Sequence, residues 1–229
     1  MGRSTTAARR LVPGVLAKLA GPLTRGMVAR ERLFQGLDTA LEGGAVWLEG
    51  PPGSGKSTLV GTYLESRGLP CQWYRIDRRD SDPANLFYHL RRAVPGRKSG
   101  LPLLTPDFLA NLEGFALSWF EQFWASLPAS TCLVLDDLHE VGSDGLFRVL
   151  REALSALPPG YRLLLVSREG PPGALARERA RGRLRWMGWP EIALNLDELG
   201  QVAEARAPGL DRQRTEWLHQ RCGGWVAGL

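Results

Sequence analysis

Residues 48–60 read LEGPPGSGKSTLV. Gly50 and Gly55 bracket four residues and are followed by Lys56 and Ser57, the spacing G-x-x-x-x-G-K-[ST]. Glycine suits both ends because the backbone can then wrap an anion with inward-pointing N–H groups, and Gly53 adds freedom between them. A helix starting at the end of the loop would turn the positive end of its dipole on the same anion. In such a cradle Lys56 bridges β- and γ-phosphate oxygens and Ser57 supplies its hydroxyl to Mg²⁺, with Ser54 and Thr58 completing the phosphate-facing set. Lysine occurs only at Lys18, Lys56 and Lys98, and the composition predicts on the order of 0.004 chance matches to this pattern. The match is not an accident of composition.

The flanks have the context that this chemistry needs. Ala45–Glu49 (AVWLE) is a short apolar strand, and 57–66 reads as a helix closed by Gly68 and Pro70. Further on, 72–76 (QWYRI) is a strand followed by Asp77, Asp80 and Asp82, and Pro83 opens a helix to Val94. Apolar residues recur at helical spacing from 107 to 127, an aromatic stripe expected to pack rather than to bind a cofactor. Residues 131–135 (TCLVL) and 161–166 (YRLLLV) are continuously apolar strands, separated by a helix over 144–157. A last strand is expected at 192–196, then two short helices at 197–207 and 211–222. Strands alternating with helices in this way predict an α/β fold, a parallel sheet covered by helices.

Two strand ends carry further chemistry. Asp136 ends the 131–135 strand, where a carboxylate holds Mg²⁺ through water, and Asp137 beside it is placed to polarise an attacking water. Arg168 ends the next strand at the carboxyl edge of the sheet, within reach of a γ-phosphate. No NKxD follows the acidic pair, which argues against a GTPase, and no LSGGQ-like segment marks a transporter ATPase. His139 reads as a packing residue, and His89 and His219 carry no assignment.

Composition sets the outer limits. The 229 residues are 44% hydrophobic, enough for a full core and a small second unit, and no run of about 18 apolar residues suggests a membrane span. A cytoplasmic location is expected. The net charge of +5 is spread over arginines along the chain, so nucleic acid is not an expected partner. Cys71, Cys132 and Cys222 form no CxxC pair and read as reduced core cysteines.

The succession KLAGPLTRGMVARERLFQGL, LEGPPGSGKSTLV, WYRIDRRDSDPANLFYHL, LVLDDLHEV, LLLVSRE and CGGWVAGL, over residues 18–229, resembles the ATPase module of MalT-like, LuxR-type transcriptional regulators. These belong to the signal-transduction ATPases with numerous domains. The resemblance implies a P-loop sheet of order 5-1-4-3-2 and ATP, ADP and Mg²⁺ as ligands. It also implies an arginine near the nucleotide at Arg30, a sensor role for Arg168, and a contact near the adenine at Gly224 and Trp225, where relatives carry GxP and this chain has no proline. The expected division is a basic arm (1–23), a nucleotide-binding domain (24–196) and an incomplete helical lid (197–229). Sensor and DNA-binding domains that follow in relatives would be partners, with ATP-dependent self-association. The expected function is a slowly hydrolysing ATP switch; a small-molecule phosphotransferase and a non-hydrolysing, ADP-holding interaction module are the alternatives.

Overall fold

The computed structural model describes residues 17–94, 100–206, 208–225 and 227. Five strands, β1 (Ala45–Glu49), β2 (Cys71–Arg75), β3 (Cys132–Asp136), β4 (Arg162–Ser167) and β5 (Leu184–Met187), form one parallel sheet of order β2-β3-β4-β1-β5. This is the order 5-1-4-3-2 expected for a P-loop NTPase. The helices are α1 (Glu31–Ala40), α2 (Lys56–Ser66), α3 (Pro83–Ala93), α4 (Leu112–Ala125), α5 (Asp144–Ser155), α6 (Ala176–Ala180), α7 (Trp189–Ile192), α8 (Leu196–Arg206) and α9 (Arg212–Cys222).

Side chains of successive strand residues leave opposite faces of a sheet, so a strand covered on both sides must be apolar throughout. Trp47, Leu133, Leu135, Leu163 and Leu165 enter one core with α3, α4 and α5, while Val46, Leu48, Val134, Leu164 and Val166 enter the other with α1 and α2. The aromatic stripe fills the first core: Phe87, Trp119, Phe120 and Phe123 are fully buried, and Phe87 meets Trp119 edge-on at 5.0 Å. The expected helix over 107–127 is two elements. Asn111 accepts from Gly114 N at 3.2 Å and starts α4, a 3₁₀ turn (Pro106–Asn111) precedes it, and Phe108 and Leu109 stay exposed.

The expected strand at 192–196 is a correction. Ile192 ends α7, whose first turn holds Pro190, and Asn195 caps α8: Glu198 N donates to Asn195 Oδ1 at 2.8 Å, and Asn195 N donates to Glu198 Oε2 at 3.1 Å. That reciprocal pair is a capping box, which consumes the groups a strand ladder would need. The edge strand lies earlier, at Leu184–Met187, where Arg183 before it and Arg185 within it mask its pattern.

Residues 17–23, the described part of the expected basic arm, lie against β2 at the opposite edge. Lys18 Nζ reaches Asp80 Oδ2 at 2.7 Å, and Gly21 sits against Trp73. Most of the arm, residues 1–16, is outside the described residues. Among the described residues no helix is long and apolar enough to cross a membrane, and no disulfide joins any of the three cysteines.

Candidate nucleotide site

β1 ends at Glu49, and the loop 50–55 runs straight from it into α2. Gly53 (φ 70°) and Gly55 (φ 81°) occupy the left-handed region, where a side chain would be strained, and Gly55 caps the helix that must receive the anion. Lys56 Nζ donates to the Gly50 carbonyl at 2.6 Å, the Pro51 carbonyl at 3.0 Å and Ser54 Oγ at 3.3 Å, so the ammonium stands over the loop. Burial pulls its pKa below the usual lysine value, Arg168 adding to this and the charge of Asp136 opposing it. Ser57 and Thr58 occupy the first turn of α2 behind it.

Asp136 ends β3, the second strand from β1 across the sheet, and is 1% exposed. Its Oδ1 accepts from Asp137 N at 2.9 Å, whereas its buried Oδ2 has no hydrogen-bond partner among the described residues. Burial first, then the charge of Asp137, raises its pKa, and the nearby Ser57 hydroxyl opposes the rise from outside hydrogen-bonding geometry to Oδ2. An orphaned carboxylate oxygen facing a serine hydroxyl suits a hard divalent cation completed by phosphate and water oxygens. No group of three or more His, Cys, Asp or Glu that could hold a metal occurs among the described residues, so such a cation would depend on the nucleotide for further ligands.

Asp137 takes a left-handed conformation (φ 60°) and its carboxylate meets Arg75 Nε at 3.4 Å. Arg168 follows β4 on the same edge, exposed and with no ion pair or hydrogen bond among the described residues. Arg30 is held by the segment between α7 and α8: one guanidinium nitrogen donates to the Ile192 and Ala193 carbonyls and to Glu198 Oε2, at 2.8, 3.0 and 2.8 Å. It also lines a cavity of about 370 Å³ next to Gly55 and Thr58, walled by Met27, Val28, Leu59, Leu194 and Val202. The cavity is mostly apolar and opens beside the start of α2, the place for a flat heterocycle attached to a phosphate held in the loop.

Gly224 and Trp225 come to this site from the far end of the chain. Gly224 accepts from Leu194 N at 3.0 Å, Trp225 Nε1 donates to the Pro52 carbonyl at 2.6 Å, and Ala227 N donates to the Gly53 carbonyl at 3.1 Å. The acidic segment after β2 is elsewhere and occupied: Asp77 and Asp82 cap helical turns, and Asp80 accepts from Tyr74, Lys18 and Asp77 N. Residue-by-residue reading missed Glu198, which also takes Arg32 at 2.9 Å, and Arg75 beside Asp137. The N-x-x-E spacing of Asn195 and Glu198 was the available signal for the first; Arg75 offered none.

The family profile described as Nephrocystin 3, N-terminal matches residues 27–168. The chain belongs to the Nephrocystin 3 N-terminal family. This family member is also similar to the HTH-type transcriptional regulator MalT of Serratia proteamaculans, 27% identical over 220 residues, and to that of Yersinia enterocolitica, 26% identical over 219. Each alignment covers 93% of this chain and 24% of the relative, so the chain spans about a quarter of the length of the curated relatives it matches. The resemblance to MalT-like regulators expected from the sequence is borne out. Among solved structures, a Walker-type ATPase of Pyrococcus abyssi covers 91% of this Nephrocystin 3 N-terminal family chain with TM-score 0.50 and 17% identity, 67% of its own length being matched. The Orc1 protein of Aeropyrum pernix, solved in complex with DNA, gives 0.53, 16%, 91% and 58%. At such identities the likeness shows the fold alone, that of P-loop ATPases.

Proposed function

We propose that this chain is the ATP- and ADP-binding switch module of a MalT-like transcriptional regulator, with slow hydrolysis. The observation that carries the reading is the pair of hydrogen bonds joining the loop at Pro52 and Gly53 to Trp225 and Ala227. Through them a change in the phosphate loop is felt at the end of the helical segment. Gly50, Gly53, Ser54, Gly55, Lys56 and Thr58 would hold the phosphates, the cavity beside Arg30 the base, and Ser57 with Asp136 the Mg²⁺, which would neutralise phosphate charge. Arg168 would read the terminal phosphate, and ligand drives the switch only through unequal affinity for its states. The domain division at about residue 196 belongs to the same proposal.

One observation favours slow turnover or a purely ADP-holding module: Asp137, the residue suited to polarise water, is paired with Arg75. The phosphotransferase alternative needs side chains free to bind an acceptor, and the acids after β2 do not supply them: they cap helices or bind Lys18 and Tyr74. The test is calorimetric titration of nucleotide-free protein with ADP and with ATP plus Mg²⁺, then phosphate release on the same sample. Tight binding with slow release is expected, and Lys56→Ala should weaken ATP binding at least tenfold, the scale of about 1.4 kcal/mol or more. Folded wild-type protein that binds neither nucleotide would end the proposal.

A further inference from the structure

His139 has no part in the roles above. It lies in the 3₁₀ turn Leu138–Glu140, directly after Asp137, with its side chain 10% exposed. Neither ring nitrogen has a hydrogen-bond partner among the described residues, the nearest acid there being Glu140, whose Oε1 lies 3.5 Å from Nε2. Burying a polar ring without partners is costly, and a residue kept only for packing has no need of those nitrogens. β3 and β4 run side by side and parallel, which sets the turn after β3 beside the end of β4 and the Arg168 that follows it; Arg168, Asp137 and Lys56, all in the candidate nucleotide site, act on the ring electrostatically with its chain neighbour Glu140. Burial, then Arg168, holds the imidazole below its ordinary pKa, so the neutral ring presents one donor and one acceptor. Arg168 in turn has donors to give and no ion pair or hydrogen bond among the described residues.

We infer that His139 is a positioning residue for Arg168: in the triphosphate-bound arrangement its unprotonated ring nitrogen accepts a hydrogen bond from the guanidinium. This fixes the plane of Arg168 and leaves its other N–H groups directed at the terminal phosphate. Lys56 and the loop grip the phosphates that ADP and ATP share, so the His139–Arg168 pair bears on the difference between the two. The inference rests on the nucleotide-binding reading and deepens it.

The test is calorimetry on the 229-residue chain with Mg²⁺ and either ADP or a non-hydrolysable ATP analogue. Wild type is compared with His139→Leu, His139→Gln, Arg168→Ala and the His139→Leu/Arg168→Ala double variant. His139→Leu and Arg168→Ala should each weaken analogue binding about tenfold with ADP binding unchanged, the scale of a hydrogen bond to a charged group. His139→Gln, which keeps an acceptor, should stay within about threefold, and the double variant should lose no more than either single one. Equal losses for both nucleotides, no loss, or additive losses would overturn the inference while leaving nucleotide binding intact; wild type binding neither nucleotide would overturn both. Imidazole ¹⁵N spectra of the wild-type chain, which has only three histidines, give an answer independent of variant folding. The unprotonated nitrogen of His139 should shift with the analogue and not with ADP, and identical shifts with both would count against the pair.

Discussion

The indole nitrogen of Trp225 donates to the carbonyl of Pro52 across 2.6 Å, so the last turn after α9 is tied to the phosphate loop by a bond spanning 173 positions of sequence. Trp225→Phe keeps the ring and removes the donor. The contact should weaken by about 1 kcal/mol. Amide exchange should then accelerate together over 53–55 and 223–225, because the two segments protect each other. Acceleration in only one of them would show that they open independently.

Asp136 stores instability at the site. A carboxyl whose folded pKa is raised above the usual aspartate value costs stability once it ionises, so the cost is absent below that usual value and grows as pH rises towards the folded pKa. Asp136→Asn should therefore raise the thermal midpoint of nucleotide-free protein at pH 7, with the gain shrinking as the pH is lowered towards 4. Loss of Mg²⁺-dependent nucleotide affinity should accompany it. An equal shift at both pH values would mean that the carboxylate is not under strain.

Glu198 works in the opposite sense. Burial alone would raise its pKa, but hydrogen bonds from Arg32 and Arg30 outweigh burial and hold it below the usual glutamate value. Its contribution is thus present above the usual glutamate pKa and is lost as pH falls through the folded pKa. Glu198→Ala leaves the buried Arg30 without a counter-charge and should cost about 3 kcal/mol. Denaturant unfolding at pH 7 measures it; a change under about 0.5 kcal/mol would place the pair among ordinary surface contacts.

Asp80, fully buried, binds Tyr74 Oη, Lys18 Nζ and Asp77 N at 2.7, 2.7 and 2.8 Å. Asp80→Ala should cost about 3 kcal/mol, because the Tyr74 hydroxyl and Asp77 N lose their acceptor and Lys18 Nζ is left with Asp77 Oδ1 alone, at 3.0 Å. Proteolysis near Lys18 should become faster. Resistance unchanged from wild type would mean that the segment is held by Gly21 and Trp73 instead.

β1, β3 and β4 were legible to within a residue because both their faces are covered, which forces continuous apolar runs such as LVL and LLLV, and β2, an edge strand, was legible through its paired aromatics Trp73 and Tyr74. β5 was hidden because an edge strand needs only part of its surface buried: Leu184 and Met187 point inward while Arg185 and Trp186 are exposed. Ile192 and Leu194 are as buried as strand residues, and that alternation imitated a strand until Asn195 and Glu198 closed their capping box. The phosphate loop could be read locally, since its residues are neighbours in sequence. The partner of Arg30 could not, because Glu198 lies 168 positions away and its approach depends on the path of α7 and α8.

The order of the sheet also governs how the chain is made. β1 pairs with β4 and β5, so Ala45 meets Leu163 and Leu184, each more than a hundred residues further on. On a ribosome the strand that feeds the phosphate loop therefore waits roughly ten seconds for its first neighbour. Contacts of such long range make folding slow, and until they close, the loop has no rigid strand behind it. On the proposed nucleotide-binding reading, a nascent or partly folded chain is thus unable to take up nucleotide, and ligand present during synthesis rewards only molecules whose sheet is already complete.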